Sequence, residues 1–73
     1  MDQPLINRIV EAALLAATQP LTLAQLHGLF PEDEPAPEGS VEQALQHLAD
    51  ACADRGVELV EVASGYRYQV KAD

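Results

Sequence analysis

Two imidazoles and one thiol are the side chains of this chain best suited by type to do chemistry. His27 and His47 supply the general-base candidates. Nucleophilic catalysis requires such a base beside a Ser, Cys or Thr, and a third group holding that base in place. Neither histidine stands in a pattern of that kind. A zinc site needs His and Cys at short, paired spacings, and Cys52 with two isolated histidines does not provide them. No Gly-rich phosphate loop occurs either. The residues therefore predict a non-enzymatic chain, with no catalytic group, no metal and no cofactor.

The charge balance narrows the partners. Lys and Arg total 4 against 12 Asp and Glu, a formal net charge of −8. Nucleic-acid binding neutralises phosphates with clustered cations, so this chain repels such polyanions, and anionic membrane surfaces with them. The sequence predicts no direct nucleic acid contact and no membrane. The longest apolar run, residues 12–17, is far shorter than the roughly 20 residues that cross a bilayer. A lone cysteine cannot form an internal disulfide, and no basic start precedes an apolar leader, so cytoplasmic residence is the expectation. At 73 residues the chain holds one domain. A core of that size supplies about 3–5 kcal/mol, which makes oligomerisation a natural source of further stability.

The elements that would position these groups follow from periodicity. Ile6, Ile9, Val10, Ala13, Leu14 and Ala17 recur at helical spacing over residues 4–18, with Asp2 or Gln3 as cap and Pro4 in the first turn. Leu15 then points away from that stripe, among Arg8, Glu11 and Thr18, and is expected to be exposed. Thr22 and Gln25 form a capping box, with Leu21 able to staple onto Leu26, so a short second helix starts at Leu23 and stops by Phe30, before Pro31. Residues 31–39, PEDEPAPEG, hold three prolines and four carboxylates and read as a solvated acidic loop that buries nothing. Ser40 and Gln43 read as a second capping box opening a third helix. Its stripe is Val41, Ala44, Leu45, Leu48, Ala51 and Cys52, and Gly56 is the expected left-handed C-terminal cap. Cys52 is thus a packing residue. Residues 57–63 and 66–70, rich in Val and Tyr, form a β-hairpin about the Ser64–Gly65 turn signal. Its register stays open between a two-residue turn and a bulged one, and Tyr66 or Tyr68 is left for a partner.

With a short extended piece at residues 20–22, the order is helix, strand, helix, helix, strand, strand: an α+β winged helix. In DNA-reading members of this class the third helix enters the major groove. Here its outer face carries Glu42, Gln43, Gln46, His47, Asp50 and Asp54, which opposes that docking. The alternative reading is a winged-helix DNA-binding transcription regulator that uses Arg67 and Lys71 in the wing, with Arg55 nearby. A further alternative, an acyl-carrier-like protein with its prosthetic group on Ser40, fits poorly: the flanks read Gly39-Ser40-Val41 where that family has Asp-Ser-Leu, and a hairpin has no place in a four-helix carrier.

The segments EAALLAATQPLTLAQLHGLF and VEQALQHLADACADRGVELVEVASGYRYQV together resemble the N-terminal winged helix of the segregation and condensation protein B family. Glu11, Ala12, Leu14, Pro20, Leu21, Leu23, Leu26, Leu59, Val62, Gly65, Tyr66 and Arg67 match its pattern in order. Leu15 stands where the family often has Phe, Thr18 where Gly is frequent, and the acidic loop is longer than usual. The resemblance implies a bacterial protein without an active site that dimerises through this domain. It further implies assembly with a kleisin subunit, segregation and condensation protein A, and an SMC protein in a condensin-like complex associated with the nucleoid, which condenses and partitions chromosomes. It also implies that residues 1–73 are the N-terminal half of a longer protein, with a second winged helix following. The candidate protein–protein interface comprises Arg8, Glu11, Leu15, Tyr66 and Tyr68.

Overall fold

A computed structural model describes residues 1–72. The helices are α1 (Gln3–Ala16), α2 (Leu23–His27) and α3 (Ser40–Ala51), followed by the antiparallel strands β1 (Val57–Val62) and β2 (Gly65–Val70). Asp2 caps α1 by accepting the Leu5 N–H, and Pro4 sits in its first turn. The Thr22–Gln25 capping box is complete in both directions, at 3.1 Å and 2.9 Å. It satisfies N–H groups that a five-residue helix could not otherwise pair.

The core lies where α1 crosses α3. Ile6, Val10 and Leu14 from α1 meet Val41, Ala44, Leu45 and Leu48 from α3, with Leu26 and Phe30 closing one end. Leu59, Tyr66 and Tyr68 bring the hairpin onto this cluster. Leu21 exchanges two backbone hydrogen bonds with Tyr66, at 2.9 Å and 2.8 Å, and so adds a single-residue third strand beside β2. Three helices with this sheet make the α+β winged helix that the element order predicts.

Five local expectations are corrected. Ser40 is not the cap of α3: Gly39 is, at φ 79°, with no side-chain capping bond. Ser40 is already helical and buried, its hydroxyl donates back to the Pro37 carbonyl at 2.6 Å, and the Gln43 N–H donates to the Gly39 carbonyl at 3.0 Å instead of to Ser40. Gly56 does not adopt the left-handed conformation. α3 ends at Cys52 in right-handed geometry, and Lys71 serves its last carbonyls by donating to Cys52 at 2.6 Å and Ala53 at 3.2 Å. Such a cation also suits the negative end of the helix dipole. Ala51 leaves the buried stripe and is exposed, because helical rotation carries it past the α1 contact. The acidic loop is not wholly solvated, since Ala36 packs against the core.

The hairpin turn is Ala63–Ser64, not Ser64–Gly65. The register pairs Val62 with Gly65 and Val60 with Arg67, which resolves the open question in favour of a two-residue turn. Gly65 lies in the strand at φ 133°, where a Cβ would collide with the Leu21 carbonyl and reach within 2.8 Å of the Thr22 nitrogen. Glycine is required there because the Leu21 segment passes so close.

Candidate functional site

Cys52 is 3% exposed and its thiol donates to the Leu48 carbonyl at 3.3 Å, which makes it a packing residue, as the stripe implies. His47 is exposed on α3. His27 lies at the end of α2 with its Nε2 3.8 Å from a Glu42 carboxylate oxygen. Among the described residues no group of three His, Cys, Asp or Glu side chains is arranged to hold a metal ion, and no helix is long and apolar enough to cross a membrane.

The cations weighed for a DNA-binding wing are dispersed. Lys71 is occupied at the C-terminal end of α3. Arg67 donates to Gln69, which in turn donates to Glu58. The outer face of α3 presents Glu42 and Asp50 to solvent.

What the fold exposes instead is the outer face of α1. Its inner stripe is spent on the core, and a helix turning about 100° per residue carries Leu5, Ala12, Leu15 and Ala16 to the opposite side. All four are exposed, Leu15 at 67% and Leu5 at 38%. Arg8 is exposed on the same side. Glu11, half-buried, is the one carboxylate of α1, and with Arg8 it lines a shallow groove between α1 and α3 that His47 and Ala51 also border. The sequence reading found Leu15 but passed over Leu5, Ala12 and Ala16. Their spacings of seven and four are the signal that would have joined them into one surface.

The two tyrosines lie elsewhere. Both are half-buried on the hairpin face that packs against the helices. Burial, then the nearby Glu61 and Glu42 carboxylates, raise the Tyr66 hydroxyl above its ordinary pKa. Burial, then Glu11, do the same for Tyr68. Arg8, Glu11 and Leu15 thus belong to α1 and the tyrosines to β2; Tyr68 lies near enough to Glu11 to feel its charge, while Tyr66 lies toward Glu61 and Glu42.

A family model described as the segregation and condensation complex subunit ScpB matches residues 8–73. A segregation and condensation protein B homolog from Coxiella burnetii is 43% identical over 65 residues, covering 89% of this chain and 31% of that protein. The crystal structure of ScpB from Mycobacterium tuberculosis is similar with a TM-score of 0.79 at 28% identity, covering 99% of this chain and 44% of that one. The chain therefore spans about a third of the length of the curated relative. With the family model matching nearly all of the chain, and the same winged-helix frame in a solved relative, this chain belongs to the ScpB family of segregation and condensation complex subunits.

Proposed function

We propose that this domain is a non-enzymatic dimerisation module of the bacterial SMC–kleisin complex, acting in chromosome condensation and segregation. Two copies join through the outer face of α1, and the kleisin subunit and SMC protein are the further partners. The observation that carries this reading is the composition of that face. In a chain of net charge −8, two copies repel each other over most of their surface. The α1 face, with Leu5, Ala12, Leu15 and Ala16 exposed, is where they can approach without opposing carboxylates. Leu15 is the most exposed large apolar side chain there. Tyr66 and Tyr68, half-buried, contribute to partner contacts through the rims they leave open. The domain works in the cytoplasm and reaches the nucleoid through its complex. Its acidic α3 face supports a role without direct DNA contact.

Sedimentation velocity over a wide concentration range tests the proposal. The expected result is a reversible dimer, shifted to monomer by Leu15→Asp, with the helical circular dichroism of both proteins alike. A dimer that Leu15→Asp leaves intact would place the contact on another surface.

A further inference from the structure

The free edge of β1 borders a groove against α3 whose chemistry selects an occupant. Tyr66 exchanges both its backbone hydrogen bonds with Leu21, so its N–H and C=O point away from β1. Backbone groups along a strand alternate sides. Gly65, Arg67 and Gln69 therefore bond to β1, through Val62, Val60 and Glu58. Leu59 and Glu61 then turn their N–H and C=O groups outward. Among the described residues no backbone or side-chain group pairs with them. An exposed row of this kind is a template for another strand.

The groove beside that edge has a volume of about 280 Å³. Leu45, Ala49 and Leu59 give it an apolar floor, and Glu42 and Glu61 stand on its rim. Neither α1 nor any Lys or Arg lines it, the nearest imidazole being His27 beside Glu42. We infer that the β1 edge and the α3 groove form a docking site for an extended, basic segment of a partner protein, which adds as a strand along Leu59 and Glu61 and seats apolar side chains on Leu45 and Ala49 with its Lys or Arg beside Glu42 and Glu61. This is strand addition, in which main-chain bonds give affinity and alternate side chains give specificity. A second copy of this chain is the wrong occupant. Its own β1 carries Glu58 and Glu61 and no Lys or Arg, so edge-to-edge pairing would gather further carboxylates beside Glu42 and Glu61 with no cation to offset them. Glu42, Glu61 and Tyr66 line the same groove, and burial, then those two carboxylates, raise the Tyr66 hydroxyl above its ordinary value. The site lies apart from the outer face of α1 and does not depend on the dimer proposed there.

The test uses the isotope-labelled chain and three capped synthetic peptides. One alternates valine with lysine, one alternates valine with glutamate, and one alternates proline with lysine, which keeps the charge but lacks half the backbone donors. The valine–lysine peptide is expected to shift the amide signals of Leu59, Glu61 and Ala49 and to bind more tightly than either of the others. The double variant E42K/E61K should weaken it by about tenfold, the scale of two reversed exposed charge pairs, and should accept the valine–glutamate peptide in its place. Leu15→Asp should leave peptide binding unchanged, which separates this site from the self-association contact. Equal binding of the proline–lysine peptide, or signal shifts that bypass β1, would overturn the inference, because attraction to the net charge alone would then account for the binding.

Discussion

The outer face of α1 and the face formed by α3 with the hairpin are built on the same core yet differ in almost every surface property. On α1 the exposed groups are small or aliphatic, with Arg8 beside them and Glu11 at the margin. Across the molecule, Glu42 and Glu61 are exposed beside a free strand edge and Asp50 is exposed on α3. A net charge of −8 thus describes neither face well. On the proposals above, one surface receives a copy of itself and the other a cation-bearing segment. The helix that reads DNA in other winged helices is acidic here, which opposes docking on phosphates.

The change expected to harm both faces together is Leu26→Ala. Leu26 is fully buried in the cluster that carries α1, α3 and the hairpin. Emptying such a site costs about 2–5 kcal/mol. Against the marginal core of so short a chain, thermal denaturation should show the domain largely unfolded, with self-association and peptide binding falling together.

Gly65→Ala separates the faces. The added methyl meets the Leu21 carbonyl at a φ of 133° that L residues rarely adopt. A loss of about 1–3 kcal/mol in urea denaturation is expected. Its structural effect should be confined to the hairpin side, so amide shifts should cluster at residues 21 and 65–67 while the α1 signals hold.

Lys71→Met is a smaller change in the same region. It removes the ammonium from the Cys52 and Ala53 carbonyls and keeps the aliphatic stem. About 1 kcal/mol should be lost, typical of a helix-end charge. Hydrogen exchange should accelerate in the last turn of α3 and leave α1 as it was.

The finest probe is pH. Tyr66 and Tyr68 have hydroxyls raised above 10.0 in the folded chain. For a group whose folded value is raised, the unfolded chain loses its proton first. The stability it contributes is therefore complete below pH 10 and declines as pH rises through the folded value. Tyr68→Phe should flatten part of that alkaline decline and leave the stability near neutral pH nearly unchanged, as read by denaturation at a series of pH values.

These contrasts show where sequence is informative and where it is not. The stripe of α1, the Thr22–Gln25 capping box and the winged-helix order are local or periodic properties, and each is present as read, except that α1 ends at Ala16 and Ala17 is its extended cap. The failures sit where a distant segment decides. Ser40 has the right residue type for a cap, yet the chain enters α3 through Gly39, and the Ser40 carbonyl is engaged by Gln3 from α1 at 2.9 Å. Gly56 looked like a helix stop, while the end of α3 is served by Lys71, far along the chain. Gly65 looked like a turn residue, and the approach of Leu21 is what requires it. Of the proposed α1 contact, Arg8, Glu11 and Leu15 are legible in the sequence, whereas the small alanines that flatten the rest of the face give no signal one residue at a time.

The central claim is that the outer face of α1 joins two copies of this domain. Sedimentation equilibrium of the unaltered chain and of Leu15→Asp, at concentrations spanning the transition, tests it most directly. The account predicts a reversible dimer whose dissociation constant rises by tenfold or more in the variant, about 1.4 kcal/mol, with an unchanged melting temperature for the monomer. A chain that stays strictly monomeric throughout, or a variant that dimerises as tightly as the unaltered protein, contradicts it.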